Sequence, residues 1–330
     1  MQPTPITTDI DYGRQGVQHG HLKLPYSHDD SAWGSIPIPI TVIANGSGPT
    51  ALLTGANHGD EYEGPTALSK LAGSLQAAQV GGRVIIVPFM NYPAFRAGRR
   101  TSPIDAGNMN RVFPGKPDGG ITEKIADYFQ RVLLPMSDFV LDLHSGGKTL
   151  EFVPFACAHV LADADQQARC VAAMHAFAAP YSMMMLELEA VGMYDTAAEE
   201  MGKVFVSTEL GGGGSTTPHT IEVATTGVHN FLVYAGIKHG ELVARESVAL
   251  NMPDGDCYLA AEHEGLLEMH VALGERVQAG DLVARVHRTD RNGETPAEYF
   301  AKRSGLLAGR HFPGLIKPGD FLSVVGVTDD

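Results

Sequence analysis

The sequence predicts an α/β chain: a largely parallel sheet flanked by helices, followed by a small all-β domain at the C-terminus. Three observations carry this. Short apolar runs without polar alternation recur through the first 235 or so residues, as in strands buried on both faces. Helical patterns fall between those runs. Beyond the Glu241 to Pro253 stretch only short strands and turns remain.

Residues 1–35 are polar and irregular apart from one alternating stretch, His19 to Leu24, and are read as an N-terminal arm. Residues 36–248 hold the α/β pattern. Pro37 to Ala44 and Thr50 to Leu53 read as strands, and Gly64 to Gln79 as a helix with Ala67, Leu68, Leu71 and Leu75 on one side. Arg83 to Phe89 is a buried strand. Thr122 to Leu134 is a helix opened by Thr122, Asp138 to Leu143 a strand, and Asp163 to Phe177 a helix capped by Asp163. Lys203 to Thr208 is a strand and Gly227 to Ala235 a helix.

Residues 249–330 contain an internal repeat. Gly265-Leu266-Leu267 is followed by Gly280-Asp281-Leu282, and forty residues later Gly305-Leu306-Leu307 is followed by Gly319-Asp320-Phe321. A unit this small buries a core only by pairing with its copy. The segment resembles biotinyl/lipoyl-like barrel-sandwich modules. Their cofactor-bearing members present a lysine at the central hairpin, and Thr289 to Glu294 has none. A supporting or covering role is expected instead.

The net charge of −14, with no basic cluster, speaks against nucleic acid and anionic membranes as partners. No apolar run is long enough to span a bilayer. The first residues lack the basic-then-apolar order of a signal peptide. The cysteines are three, Cys157, Cys170 and Cys257, with none at Cys-x-x-Cys spacing, as expected of reduced thiols in a cytoplasm. A small-molecule substrate is the expected partner, and a homo-oligomer is left open.

Four segments carry chemistry. Thr54 to Glu61 leaves a strand through a glycine turn and enters a helix, bringing His58 and Glu61, both good zinc ligands, to the sheet edge where α/β proteins bind ligands. Asp142-Leu143-His144 ends another buried strand. His144 supplies a third ligand, and Asp142, on the same strand face, is an acidic neighbour of the kind that holds a ligand imidazole in one tautomer. Two histidines and one glutamate are a recurring set for catalytic zinc. Ser207-Thr208-Glu209 ends a third strand before four glycines, Gly211 to Gly214, read as a flexible loop. Glu209 there can take a proton from an attacking water and pass it to a leaving amine. Asn108-Met109-Asn110-Arg111, with Arg96, Arg99 and Arg100 upstream, supplies guanidinium groups suited to a substrate carboxylate.

Taken in order, His58, Glu61, Asn110, Arg111, Asp142, His144 and Glu209 resemble the pattern of the succinylglutamate desuccinylase/aspartoacylase family, relatives of the zinc carboxypeptidases. The resemblance implies a mixed, largely parallel carboxypeptidase-like sheet and a hydrolase that deacylates a small N-acyl amino acid. It implies one zinc ion on His58, Glu61 and His144, with Glu209 as general base and Asp142 behind His58. Asn110 and Arg111 would grip the substrate carboxylate, and Arg99 or Arg100 would polarise the scissile carbonyl. The chain departs from the family at Asn108, where aspartate is frequent. The stretches Gly16 to Tyr26, Val84 to Arg96 and Tyr194 to Gly211 are similar to the Nα-acetyl-L-2,4-diaminobutyrate deacetylases of ectoine breakdown. That likeness implies a substrate with a cationic amine, for which Glu187, Glu189 and Asp195 are the candidate acidic partners. The alternatives are succinylglutamate desuccinylase or aspartoacylase activity, a metallo-carboxypeptidase, and a non-catalytic metal or carrier module.

Overall fold

The computed structural model describes residues 3–185 and 191–328. Six α-helices stand among these residues: α1 Glu63–Ser74, α2 Tyr92–Ala97, α3 Ile121–Tyr128, α4 Ala164–Phe177, α5 Tyr194–Glu199 and α6 Pro218–Tyr234. The strands before the C-terminal tail are β1 Thr7–Thr8, β2 Gly16–Pro25, β3 Ser35–Ala44, β4 Thr50–Gly55, β5 Arg83–Val87, β6 Phe139–His144, β7 Leu150–Phe152, β8 Phe155–His159, β9 Tyr181–Met185, β10 Val204–Glu209 and β11 Val248–Asn251.

All of these but β7 form one mixed sheet in the order β1-β2-β3-β5-β4-β6-β10-β8-β9-β11. Its centre is parallel: β5, β4, β6 and β10 run side by side, so their C-terminal ends open on one edge. Successive residues of each strand face opposite sides. Leu53, Leu141, Leu143 and Val206 pack with Ala67, Leu68, Met174, Phe177 and Phe231 of α1, α4 and α6 on one face. Leu52, Val140 and Phe205 pack with Ile125, Phe129 and Tyr194 on the other. Strands buried on both faces have no polar side to alternate, which is why they read as continuous apolar runs.

Several elements differ from the sequence reading. The alternating stretch near His19 is part of a ten-residue strand, β2, paired along its whole length with β3, so the first residues extend the sheet. Thr122 lies inside the first turn of α3, which Gly120 caps. The Thr122 amide and hydroxyl bond to Asp105 instead. The helix read at Gly227 begins nine residues earlier, at Pro218, with Thr217 as its cap. The four-glycine stretch is tied down by backbone bonds: Gly211 O accepts from Gly146 and Phe152, and Gly213 N donates to Leu150 O. Gly211 to Gly214 all have φ between 64° and 139°, a left-handed range open to glycine at little cost.

The C-terminal tail contains β12 Tyr258–Ala260, β13 Gly265–Met269, β14 Arg276–Val277, β15 Leu282–His287, β16 Ala297–Phe300, β17 Gly305–His311, β18 Leu315–Ile316 and β19 Phe321–Gly326, in two antiparallel sheets enclosing a small core. The repeat is visible as two equivalent turns. Asp281 accepts from Gln278 N at 2.8 Å, and Asp320 from Lys317 N at 2.9 Å. Gly280 and Gly319 each donate at 2.8 Å across to the other half, to Ala301 O and Ala261 O. The barrel-sandwich-like unit is docked on the larger sheet. Its strand β17 pairs with β7, Arg310 bonds Glu151, and an apolar cluster joins Leu306, Ala308 and Val324 to Val153, Phe155, Cys157 and Met183. No helix among the described residues is long and apolar enough to cross a membrane.

Ending the chain at residue 252 strips the cover from Val153, Phe155, Cys157 and Met183. Such a chain is expected to elute as aggregate in size-exclusion chromatography, because a contiguous apolar face is left in water. A monodisperse, fully active truncation would show that the tail is dispensable.

Candidate active site

The parallel strand ends assemble the site. β4 ends at Gly55, and Ala56 follows with φ of +50°, a left-handed conformation that costs a non-glycine residue on the order of 1 kcal/mol. The turn is pinned by Met90 N and Asn91 N, which donate to Gly55 O and Ala56 O. It delivers Asn57 and His58 above the sheet edge. A Cβ on Gly59 would lie 2.0 Å from the Ala94 carbonyl carbon, so only glycine lets the chain pass there. Glu61 stands two residues before α1. His144 ends β6, and Glu209, its register partner, ends β10.

Glu61 is buried at 2% exposure, and its two carboxylate oxygens lie 2.8 Å from His58 Nδ1 and 2.9 Å from His144 Nδ1. The Ser145 amide donates to the second oxygen at 3.3 Å. The far nitrogens of both rings are held as well. His58 Nε2 meets Asn108 Oδ1 at 3.2 Å, and His144 Nε2 meets Asp142 Oδ2 at 2.8 Å. Asp142 is fixed in turn by the Thr54 hydroxyl at 2.6 Å and the Asn57 amide at 3.0 Å.

Burial alone would raise the Glu61 carboxyl, but the two imidazoles hold it well below the usual carboxylate range. Burial lowers the His58 imidazole and outweighs the pull of Glu61. His144 goes the other way: against its burial, the charges of Asp142 and Glu61 raise it well above the ordinary histidine value. Burial pushes the Glu209 carboxyl up to about 8, and the Glu61 charge adds to the rise.

This donor set fits a metal ion. Ligand atoms of His58, Glu61 and His144 all lie within 4.8 Å of one another, and all three residues are buried. An uncharged imidazole donates from one nitrogen only. His58 faces oxygen with both: Glu61 Oε1 at Nδ1, and at Nε2 the Asn108 Oδ1 that also accepts the Asn110 amide. One of the two contacts is therefore lone pair against lone pair. With Nε2–H donated to Asn108, the bare Nδ1 and the carboxylate converge where a cation belongs.

The trio lines a cavity of about 510 Å³ that also takes in Arg100, Asn110, Arg111, Glu209, Cys157, His159, Asp195 and Ser207, with Tyr258 and Phe321 from the C-terminal unit. Arg100 Nη1 stands 3.2 Å from His58 Nδ1 and 3.7 Å from Glu61 Oε1. Arg99 is exposed and does not line the cavity. Arg111 donates to Asn110 O at 2.6 Å, and Asn110 Oδ1 accepts the Tyr194 amide at 2.9 Å. Glu209 Oε2 is buried without a hydrogen-bond partner among the described residues.

Residues 47–235 match the Succinylglutamate desuccinylase/Aspartoacylase catalytic domain. The chain belongs to this family. It is 57% identical over 327 residues, 98% of this chain and 96% of the relative, to the N-alpha-acetyl-L-2,4-diaminobutyric acid deacetylase of Halomonas elongata. The product-bound ectoine utilization protein EutE (DoeB) from Ruegeria pomeroyi superposes with a TM-score of 0.98 at 62% identity, covering 99% of this chain and all of that one. A succinylglutamate desuccinylase from Silicibacter sp. TM1040 does so with a TM-score of 0.98 at 63% identity, each chain covered completely. As a family member the chain is an amidohydrolase with a mixed α/β fold.

Against the sequence reading, Asp142 stands behind His144 and not behind His58. The position behind His58 is taken by Asn108, the residue at which the chain departs from the family pattern. Of the two arginines left open, the structure brings Arg100 to the trio and leaves Arg99 outside. Glu187 and Glu189 lie outside the described residues, whereas Asp195 lines the cavity. The walls formed by Tyr258, Phe321 and Cys157 had no signal in the sequence, since none belongs to a motif of metal or acid–base chemistry, and Ser207 was singled out only as the residue opening the segment of Glu209. Glu63, two residues beyond Glu61, is buried, and burial raises its carboxyl to about 7.

Replacing Asp142 by Asn removes the charge that orients His144 while keeping the shape. Metal affinity, measured by competition with a chromophoric chelator, should fall by about 10–100-fold. Unchanged affinity would mean that Asp142 does not support the ligand.

Proposed function

We propose that the chain is a zinc-dependent deacetylase that hydrolyses Nα-acetyl-L-2,4-diaminobutyrate to acetate and diaminobutyrate in ectoine breakdown, acting in the cytoplasm. One observation carries the reading: a buried His–Glu–His trio, Glu209 and Arg111 share one cavity in a chain 57% identical to a deacetylase of that substrate.

In this reading His58, Glu61 and His144 hold the zinc ion. When bound, zinc supplies Lewis acidity to the acetyl carbonyl oxygen and to the attacking water. Arg111, with Asn110 beneath it, receives the α-carboxylate through two parallel N–H donors. That grip sets the acetyl group against the trio. Arg100 donates to the carbonyl oxygen as negative charge gathers there. Glu209 takes the proton of the attacking water. As the C–N bond breaks it passes that proton to the α-nitrogen, so diaminobutyrate leaves as an amine and acetate keeps the water oxygen. A carboxyl raised by burial suits both halves of this task, because it accepts and holds a proton more readily than an exposed carboxylate.

A second reading, succinylglutamate desuccinylase, is favoured by the name of the Silicibacter relative. Its substrate carries three carboxylates. Among the described residues the arginines and lysines lining the cavity are Arg100 and Arg111 alone. With Arg111 on one carboxylate and Arg100 at the scissile carbonyl, two anionic groups are left without a cation in a partly closed space, which is costly. Comparing kcat/KM for the acetylated diaminobutyrate, N-acetyl-aspartate and N-succinyl-glutamate on zinc-loaded protein tests the assignment. The first is expected to be the best substrate, and better turnover of either anionic one would overturn it.

Glu209→Gln is expected to retain zinc and substrate affinity and to lose about 10²–10⁴-fold in kcat. A loss confined to KM would make Glu209 a binding residue. The proton-accepting form of Glu209 is the carboxylate, which disappears as pH falls through its pKa. Burial holds that value above the ordinary 4.5, toward about 8, and a bound cation draws it back down. The acidic limb of kcat/KM should therefore fall between those two values. A limb at or below 4.5 would show that another group titrates.

A further inference from the structure

Resting on the deacetylase reading, we propose that Asp195 forms the subsite for the substrate's side-chain ammonium, and so sets the preference for a cationic acyl-amino acid. The cavity extends from Glu209 along one face of the sheet. Ser207 lies two residues before Glu209 on β10, on the same face, and is paired in register with Cys157 of β8. The Ser207 hydroxyl and the Cys157 thiol are 2.9 Å apart. Asp195, at the start of α5, lines the same cavity, with Met185 and Met193 as apolar walls. Burial pushes the Cys157 thiol up, and the charges of Glu209, Asp195 and Glu199 push it further.

Asp195 is 6% exposed and forms no ion pair among the described residues. One of its oxygens accepts the Thr196 amide at 2.5 Å and the Thr196 hydroxyl at 3.3 Å, while the other accepts no bond among the described residues. The nearby Glu199 is already engaged, 2.9 Å from His159 Nδ1. A buried carboxylate with no paired cation among the described residues is costly unless a ligand brings one. A primary ammonium also uses further acceptors, and the Ser207 hydroxyl is at hand. The methylenes between the two charged ends of the substrate suit the methionine walls.

The spacing of the two ends is built in. Asn110, next to Arg111, accepts the Tyr194 amide beside Asp195. Gly192 packs on the Arg111 backbone, where a Cβ would come within 2.6 Å of the Arg111 carbonyl oxygen. The carboxylate grip and the ammonium acceptor are thus parts of one braced unit.

The test compares Nα-acetyl-L-2,4-diaminobutyrate with Nα-acetyl-L-2-aminobutyrate, the same amide without the amine, on zinc-loaded wild type, Asp195→Asn and Asp195→Glu. The readout is the ratio of the two kcat/KM values. Asp195→Asn is expected to lower the ratio by about 10²-fold, the scale for truncating one partner of a buried charge pair. Asp195→Glu is expected to keep part of it. A ratio unmoved in Asp195→Asn, whether both rates fall together or neither does, overturns the subsite, since a structural role moves both substrates alike. If the wild type itself shows no preference for the cationic substrate, the deacetylase assignment fails before Asp195 is questioned. The two failures are therefore distinct.

Discussion

A carboxylate removed from water must be surrounded by donors or cations, and Glu61 is surrounded by two imidazoles and an amide. The rest of the site follows from that one group. Each imidazole can serve it only with its far nitrogen fixed, so Asn108 and Asp142 are recruited, and Asp142 in turn requires Thr54 and Asn57. The network runs through the ends of β4 and β6 and the turn leaving β4. Its charges nearly cancel when a cation occupies the centre. The charges of Asp142 and Glu61 raise the His144 imidazole against its burial, the same pull that favours a cation at the centre.

The sheet makes the geometry reproducible. In-register parallel pairing of β4, β6 and β10 brings Gly55, His144 and Glu209 to one edge, and the period of two keeps Asp142, His144, Ser207 and Glu209 on one face. A one-residue slip of either strand would turn its pair into the opposite, apolar layer. The positive-φ turn at Ala56 is held by bonds from the segment after β5, and at Gly59 the chain passes close against the Ala94 backbone. Rigid elements thus carry the chemistry, and the loops after them are anchored by backbone bonds.

The C-terminal unit contributes part of the cavity wall. Through β17, Arg310 and the apolar cluster at Leu306 it is fixed to the loop after β6, and it sets Tyr258 and Phe321 into the wall. The cavity therefore has three chemically distinct regions: a cation-binding trio, a guanidinium side and an acidic end lined by methionines. Such a division suits a small zwitterionic amide better than a long or uniformly anionic one.

The sequence by itself determined the class of the fold and singled out the three residues that the fold brings together as a donor set able to hold a metal ion. Buried central strands have no polar face, so they announce themselves as apolar runs. Acid–base and metal chemistry needs histidine and carboxylate at strand ends, which made His58, Glu61, His144 and Glu209 legible, and the repeat around Gly280 and Gly319 recurs as two like turns. Only the tertiary structure decided the pairings. That Asp142 serves His144, that Asn108 serves His58 and that Arg100 rather than Arg99 reaches the trio depend on loop paths that a residue's identity does not encode. The cavity walls depend on packing across the whole chain: Cys157, Ser207, Tyr258 and Phe321 are ordinary residues until the sheet register and the docking of the C-terminal unit bring them together. Asp195 is the clearest case, because one carboxylate among many becomes distinctive only when the fold buries it in the wall of the cavity, in no ion pair among the described residues.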